Sequence, residues 1–209
     1  MIPYPTVWIT DPCAPQYGSV WCVMGKLSQR LGREDWILAG FRALSTGGVG
    51  ALRIEAVARG LGATKGSFYW HFTDPADWRA AMLDYWEDAA YRQIVAKLAL
   101  LPEGVARLQA LITIANALDQ DPTHGGAAAE PALREWARFA PDVAAIVHRV
   151  DAGRMGFVTD CFRAAGSDAA TAGQKARLFY AALLGLGALR SSAADNTQSL
   201  LWLLDRFEP

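Results

Sequence analysis

From Gly62 to Phe72 the chain reads Gly-Ala-Thr-Lys-Gly-Ser-Phe-Tyr-Trp-His-Phe. Within it, Thr64, Lys65, Ser67, Tyr69, Trp70 and His71 bring hydroxyl, ammonium, phenol, indole and imidazole groups close together. These groups donate and accept hydrogen bonds and carry one fixed positive charge. Read as a short helix, the stretch puts Phe68 and Phe72 on one face, with Thr64 one turn back on the same side. The opposite arc then carries Gly66, Ser67, Tyr69, Trp70 and His71. Large aromatic and small polar groups held out beside a glycine point to a contact surface. The alternative is a buried aromatic helix.

Nothing else in the chain reads as reaction chemistry. There is no GxSxG, P-loop, strand-borne GxGxxG or HExxH. His71, His124 and His148 are the three histidines, and none sits in a metal-ligand motif. Asp151 and Arg154, three apart, predict an ordinary ion pair. Cys161 reads as a small core residue. No enzyme activity, metal or cofactor is expected.

The residues upstream of the aromatic stretch set its context. Ile54, Val57, Ala58 and Leu61 repeat at helical spacing before Gly62-Ala63 interrupts. That is a helix, a tight glycine turn and a second helix. Gly62 is expected to take a positive φ, and Thr64 to cap the second helix. The run from Arg53 to Phe72, Arg-Ile-Glu-Ala-Val-Ala-Arg-Gly-Leu-Gly-Ala-Thr-Lys-Gly-Ser-Phe-Tyr-Trp-His-Phe, closely resembles the DNA-binding segment of TetR-family transcriptional regulators. The motif covers roughly residues 30–80. The run Glu135 to Val143 is also similar to regulators of this group, and the rest fits by helical pattern.

The resemblance implies an all-α protein in parts: an irregular extension over 1–25, a helix-turn-helix DNA-binding domain over 26–74, and a helical ligand-binding and dimerisation domain over 75–209. It implies that Arg53, Thr64, Lys65, Gly66, Ser67, Tyr69, Trp70 and His71 lie against double-stranded DNA. Trp70 and Ser67 are expected at bases, and Tyr69, His71, Lys65 and Arg53 at phosphates. Gly66 lets the helix approach the groove. Many relatives carry Thr or Ser where this chain has Arg53, which cannot cap a helix in the same way. Relatives often carry a base where this chain has Asp74 and Asp77, which subtracts a phosphate contact.

Composition agrees with a soluble, cytoplasmic chain of 209 residues, 52% of them hydrophobic. Cys13, Cys22 and Cys161 are odd in number and show no CxxC spacing, which argues against a disulfide scaffold or zinc site. The net charge of −1 conceals an asymmetry: Lys26 to Phe72 holds seven basic residues against three acidic ones. A basic module on an acidic body fits a nucleic-acid contact at one end. Pro3, Pro5, Pro12 and Pro15 break any helix in the first 25 residues. Two readings of that stretch stay open, a flexible extension or a natural start at Met24.

Further along, Asp74 and Pro75 start a helix that reads as continuous from Trp78 to Leu101. The resemblance implies an enclosed ligand pocket in the body. Its candidate lining is Met82, Trp86, Tyr91, Trp136, Phe139, His148 and Phe157, which favours an aromatic or otherwise hydrophobic small molecule. From Phe179 to Leu189 the chain is apolar all round, which in a helix means burial on every side. With the last helix it implies half of an intermolecular bundle, through Phe179, Leu183, Leu186, Gly187, Leu200, Leu204 and Phe207. The alternative is an ordinary intramolecular core. The function expected is a ligand-responsive repressor, a homodimer on a near-palindromic operator. A ligand-binding protein whose helix-turn-helix no longer reads DNA is the competing expectation.

Overall fold

The computed structural model describes residues 31–189 and 193–207, which are helices and turns with no strand among them. The extension 1–25, with Lys26 and Arg30 of the basic arm, lies outside the described residues. Helix α1 (Arg33–Gly47) places Trp36, Ile37, Phe41 and Leu44 on one buried face. It starts where Gly32 N–H donates to the Asp35 carboxylate at 2.7 Å and ends at Gly48, whose φ is +64°. Helix α2 (Ile54–Gly60) closes through Gly62 at φ +65°, with Ala63 N–H donating to Ala58 C=O at 2.8 Å. That six-to-one bond around a left-handed glycine is the usual way a helix satisfies its last carbonyls before a sharp turn. Helix α3 is a single turn, Lys65–Phe68, shorter than the sequence implies, followed by further turns to His71.

Helix α4 (Pro75–Glu87) does not run straight on to Leu101. It passes through one π-helical segment, Asp88–Arg92, into α5 (Gln93–Leu98). Then come α6 (Val105–Gln120), α7 (Ala129–Ala137), α8 (Pro141–Ala164), α9 (Ala169–Ala188) and α10 (Ala193–Phe207). A cluster of buried side chains runs from α1, α2, α3 and α4 into Leu133 of α7 and Val143, Val147 and Val150 of α8. The core of the N-terminal helices therefore continues into the body across residue 74. A second cluster joins α6, α8, α9 and α10 through Leu108, Ile112, Cys161, Phe162, Phe179, Leu200 and Leu204. Cys161 is buried there, and burial pushes its thiol pKa up to about 11, as befits an inert core residue.

The contact of α1 with α4 fixes the N-terminal helices on the body. Gly40 allows it: a Cβ there falls 2.5 Å from Met82 Sδ and 2.8 Å from Trp78 Cζ2. Met82 can swing, but Trp78 is wholly buried and its indole N–H donates to Trp36 C=O at 3.0 Å. Gly40→Ala gains helix propensity of about 0.5–1 kcal/mol. Overpacking of about 1–3 kcal/mol opposes it. Urea unfolding should therefore show net destabilisation; equal or greater stability would mean the helices separate without strain.

Candidate nucleic-acid interface and internal cavity

The one-turn α3 is held by side chains at both ends. Thr64 Oγ1 accepts from Ser67 N–H at 3.2 Å, the expected cap, and Ser67 Oγ donates back to Thr64 C=O at 2.9 Å. This engagement turns Thr64 outward, so it is exposed and does not share the packed face of Phe68 and Phe72. Phe68 is wholly buried, with Trp36, Phe72 and Trp78 rings at centroid distances of 5.4, 5.1 and 5.6 Å. Fixing Phe68 inward fixes its successors outward: Tyr69 is 49% exposed and Trp70 84% exposed. His71 is half-buried, its ring 6.4 Å from Phe72. Around Gly66 the surface is open, the nearest atom to an added Cβ being Thr64 Oγ1 at 3.6 Å.

Two basic residues of this surface differ in availability. Arg53 is exposed at the start of α2, where its side chain makes no capping bond. Lys65 Nζ lies 2.6 Å from Glu55 Oε1. The hydrogen bond to Glu55 raises the Lys65 pKa and lowers that of Glu55. Lys65 is thus held along α2, not extended into solvent. Asp74 and Asp77 have structural duties. The Asp74 carboxylate accepts from the N–H groups of Ala76 and Asp77 at 2.7 and 2.9 Å, and Asp77 accepts from Thr73 N–H at 2.9 Å. Arg33 completes the corner, 3.8 Å from Asp77 and 4.8 Å from the centre of the Phe72 ring.

Behind these helices a cavity of about 430 Å³ lies between the two buried clusters. Trp86, Tyr91 and Phe157 line it, with Phe41, Tyr85, Leu111, Leu183 and Leu186. Ala89, Ala90 and Tyr91 of the π-helical segment form part of the same wall. Such a segment misaligns helical hydrogen bonds. Here Arg154 Nε donates to Ala90 C=O at 3.1 Å, and the Tyr91 ring rests on Gly153, where a Cβ would fall 2.5 Å from the ring.

The polar floor of the cavity joins α7, α8 and α9. Arg134 grips Asp151 with two nitrogens at 2.6 and 3.0 Å and Glu130 at 2.6 Å. Arg154 reaches Glu130 at 2.9 Å, and Tyr180 Oη donates to Asp151 at 2.6 Å. Burial opposes ionisation of Glu130, but Arg154 and Arg134 outweigh it and hold its pKa below the usual value. Asp151 is likewise lowered, burial being overcome by the hydrogen bonds from Arg134 and Tyr180. Burial also pushes the Tyr180 pKa up to about 12.

Residues 37–76 match the family of bacterial regulatory proteins, tetR family. Over those residues the chain is similar to the N-terminal segment of that family. No curated protein matches the chain by sequence. Solved structures agree on the fold. A proposed TetR-family transcriptional regulator from Rhodococcus sp. is 23% identical, with a TM-score of 0.64, over 85% of this chain and 98% of that one. A proposed transcriptional regulator from Saccharomonospora viridis, solved in complex with choline, is 18% identical, with a TM-score of 0.70 over 83% and 95% of the two chains. A TetR-family regulator from Agrobacterium tumefaciens is 18% identical, with a TM-score of 0.68 over 85% and 97%.

On this TetR-type frame several expected residues fall elsewhere. Met82 belongs to the core beside Gly40, and Trp136 packs against that core, neither lining the cavity. Phe139 is 78% exposed past the end of α7, beneath Arg138, and His148 is exposed on α8 because Val143, Val147 and Val150 claim the inner face. Phe179, Leu200 and Leu204 are buried in the protomer's own core and have no surface left for a partner. Leu183, Leu186 and Gly187 line the cavity, and Phe207 packs on Phe162 at 5.7 Å. The outward side of α9 and α10 instead shows Leu178, Leu189, Leu201 and Trp202. The expected Asp151–Arg154 pair is replaced by bonds to partners on other helices. Glu130 and Arg134, four apart, were the only local signal for that network.

Removing Arg154 leaves Glu130 with half its compensation. Arg154→Met should cost on the order of 3 kcal/mol at neutral pH, the low end for a broken buried pair because about a quarter of Glu130 remains accessible. Both acids have lowered pKa values, so their stabilisation is present above the unfolded-chain values and lost as pH falls through the folded ones. The mutant's deficit should shrink in melts run below pH 4 and persist at pH 7.

Proposed function

We propose that the chain is a ligand-responsive transcriptional regulator, a repressor that binds a near-palindromic operator as a homodimer. The observation that carries this reading is Trp70, 84% exposed in the turn that follows α3, whose Phe68 is wholly buried. An indole held into water beside Tyr69 and an open Gly66 is costly unless a partner covers it. The match of residues 37–76 to the tetR family supports the major groove as that partner. Trp70 and Ser67 meet base edges; Tyr69, His71 and Arg53 meet phosphates; Thr64 stays with its cap. Lys65 contributes once phosphate competes it away from Glu55.

The dimer contact in this proposal is the outward side of α9 and α10, where Leu178, Leu189, Leu201 and the 60% exposed Trp202 make an apolar face. Two such modules must present α3 about 34–36 Å apart to meet successive major grooves. The cavity is the effector site. The choline bound to the Saccharomonospora viridis protein of the same fold supports a small-molecule role for it. The α4 helix begins three residues after Phe72 and reaches the cavity wall at the π-helical segment, so an occupant pressing on Tyr91 acts on the helix that carries the DNA reader.

Fluorescence anisotropy with the DNA upstream of the protein's own gene tests this. Binding should weaken steeply with salt. Tyr69→Phe should weaken all sequences alike by about 0.5–1.5 kcal/mol. Trp70→Ala should cost about 1–3 kcal/mol on the operator and little elsewhere. Absence of salt-dependent binding would favour the second reading, a ligand-binding protein that no longer reads DNA. The Lys65–Glu55 pair and the acids at Asp74 and Asp77 are what favour that alternative.

Effector and operator should also be reciprocal. A hundredfold loss of operator affinity corresponds to about 2.7 kcal/mol of coupling. Bound operator must then weaken the effector by the same factor in calorimetric titration. Equal effector affinities with and without operator would refute the switch.

A further inference from the structure

With Asp151 behind Arg134 counted in, the cavity and its floor hold three carboxylates against two guanidinium groups. Its two guanidinium groups are matched: Arg134 by Asp151 and Glu130, Arg154 by Glu130. Asp119 lines the same cavity, and among the described residues no donor meets its carboxylate. It stands in the last turn of α6, where the helix dipole already presents negative charge. The residue is exposed at the cavity mouth, where a Cβ added to Gly187 would stand 3.8 Å from Oδ2, in van der Waals contact. Burial, and then Glu130, raise its pKa. Burial, and then Glu34 and Asp121, raise the pKa of the Tyr85 phenol, which also lines the cavity. Tyr85, Trp86, Tyr91 and Phe157 offer aromatic surface to the space beside it.

We propose that the cavity takes an organic cation, an amine or quaternary ammonium on an aromatic or branched alkyl body, with Asp119 as its counter-charge. This rests on the reading of the cavity as an effector site and names the class of effector. An anion would have to break the Arg134 or Arg154 pairs and would meet Asp119 unscreened. A neutral apolar guest seated against Asp119 would strip water from its carboxylate and give no charge in return, which is the costly arrangement. A cation supplies the missing charge and gains from ring faces as well.

The probes are benzyltrimethylammonium, its neutral isostere neopentylbenzene, and the anion phenylacetate, titrated by tryptophan fluorescence, since Trp86 forms part of the wall. The cation should bind at least tenfold more tightly than the isostere, and phenylacetate should be weakest. Asp119→Asn should erase most of the tenfold preference and leave neopentylbenzene unchanged. The variant also reads on the empty protein. Asp119 has a raised pKa in the fold, so its charge opposes folding at neutral pH and ceases to do so below about pH 4. Among Glu130 on α7, Asp121 and His124 on the following turn, Tyr85 on α4 and Tyr180 on α9, only Asp119 changes in the variant. Asp119→Asn should therefore raise the melting temperature at pH 7 and not at pH 3.5. A lowered melting temperature at pH 7 would show that a basic group already pairs with Asp119 and would overturn the proposal. Equal binding of cation and isostere would overturn it while keeping the effector cavity. Failure of all three probes to bind would overturn both.

Discussion

The structure depends first on where Phe68 goes. A helix of four residues has no stability of its own in water, because nucleation alone costs more than one turn returns. Here the turn exists because Phe68 is inserted edge-on between Trp36 of α1 and Trp78 of α4. Burying a side chain of this kind stabilises by about 1.5–3 kcal/mol, enough to hold one turn that the backbone alone would not. The same insertion sets the phase of the turn, so the outward direction of Trp70 is a consequence of the inward direction of Phe68. The contact surface and its anchor are one decision.

That anchor ties the surface to the body. Trp78 belongs to the first turn of α4, and α4 continues through Trp86 to the cavity wall. Between the ring that holds α3 and the ring that faces the cavity there is one helix and no loop. The π-helical segment Asp88–Arg92 is the place where that helix is least regular, and it is braced from α8 by Arg154 at Ala90 and by Arg149 at Glu87, at 2.7 Å. Helices α4 and α8 are therefore joined by charged side chains next to the space a ligand would fill. A rearrangement of Arg154 acts on Glu130, Tyr180 and the backbone of the π-helical segment together.

The sequence disclosed the parts whose signals are local. Glycine at the turn, Thr64 at the cap, Asp74 with Pro75 at the start of α4 and the Phe68/Phe72 pair all act within a few residues, and the structure has each in its expected role. What it concealed depends on helix phase or on contacts between distant helices. A stretch apolar all round, such as Phe179 to Leu189 at the end of α9, carries no information about which side faces inward, so Phe179 could be assigned to an interface although it is core. Lys65 and Glu55 are ten residues apart and on different helices, so nothing local foretold their pairing. Beyond its local bond to Glu130, Arg134 reaches partners 17 and 46 residues away at the cavity floor. The cavity itself is an absence of side chains between two cores, and no residue spells it.

Why a small body keeps five charged side chains beside a cavity is a question of cost. Apolar residues of the same shape would stabilise the fold as well or better, since desolvation of a buried ion pair often exceeds its attraction. The same volume filled with side chains would recover packing that the cavity forfeits, about 24 cal/mol for each Å³ of a void of the engineered kind. Both losses fall in one place, on the walls formed by α6, α7, α8 and α9 around α4. Stability sacrificed in a single region, where the helix leading from α3 ends, fits the effector site proposed above. In the matched pairs the cost is partly recovered by mutual attraction. At Asp119 it is not, and that residue is where an incoming molecule has the most free energy to gain.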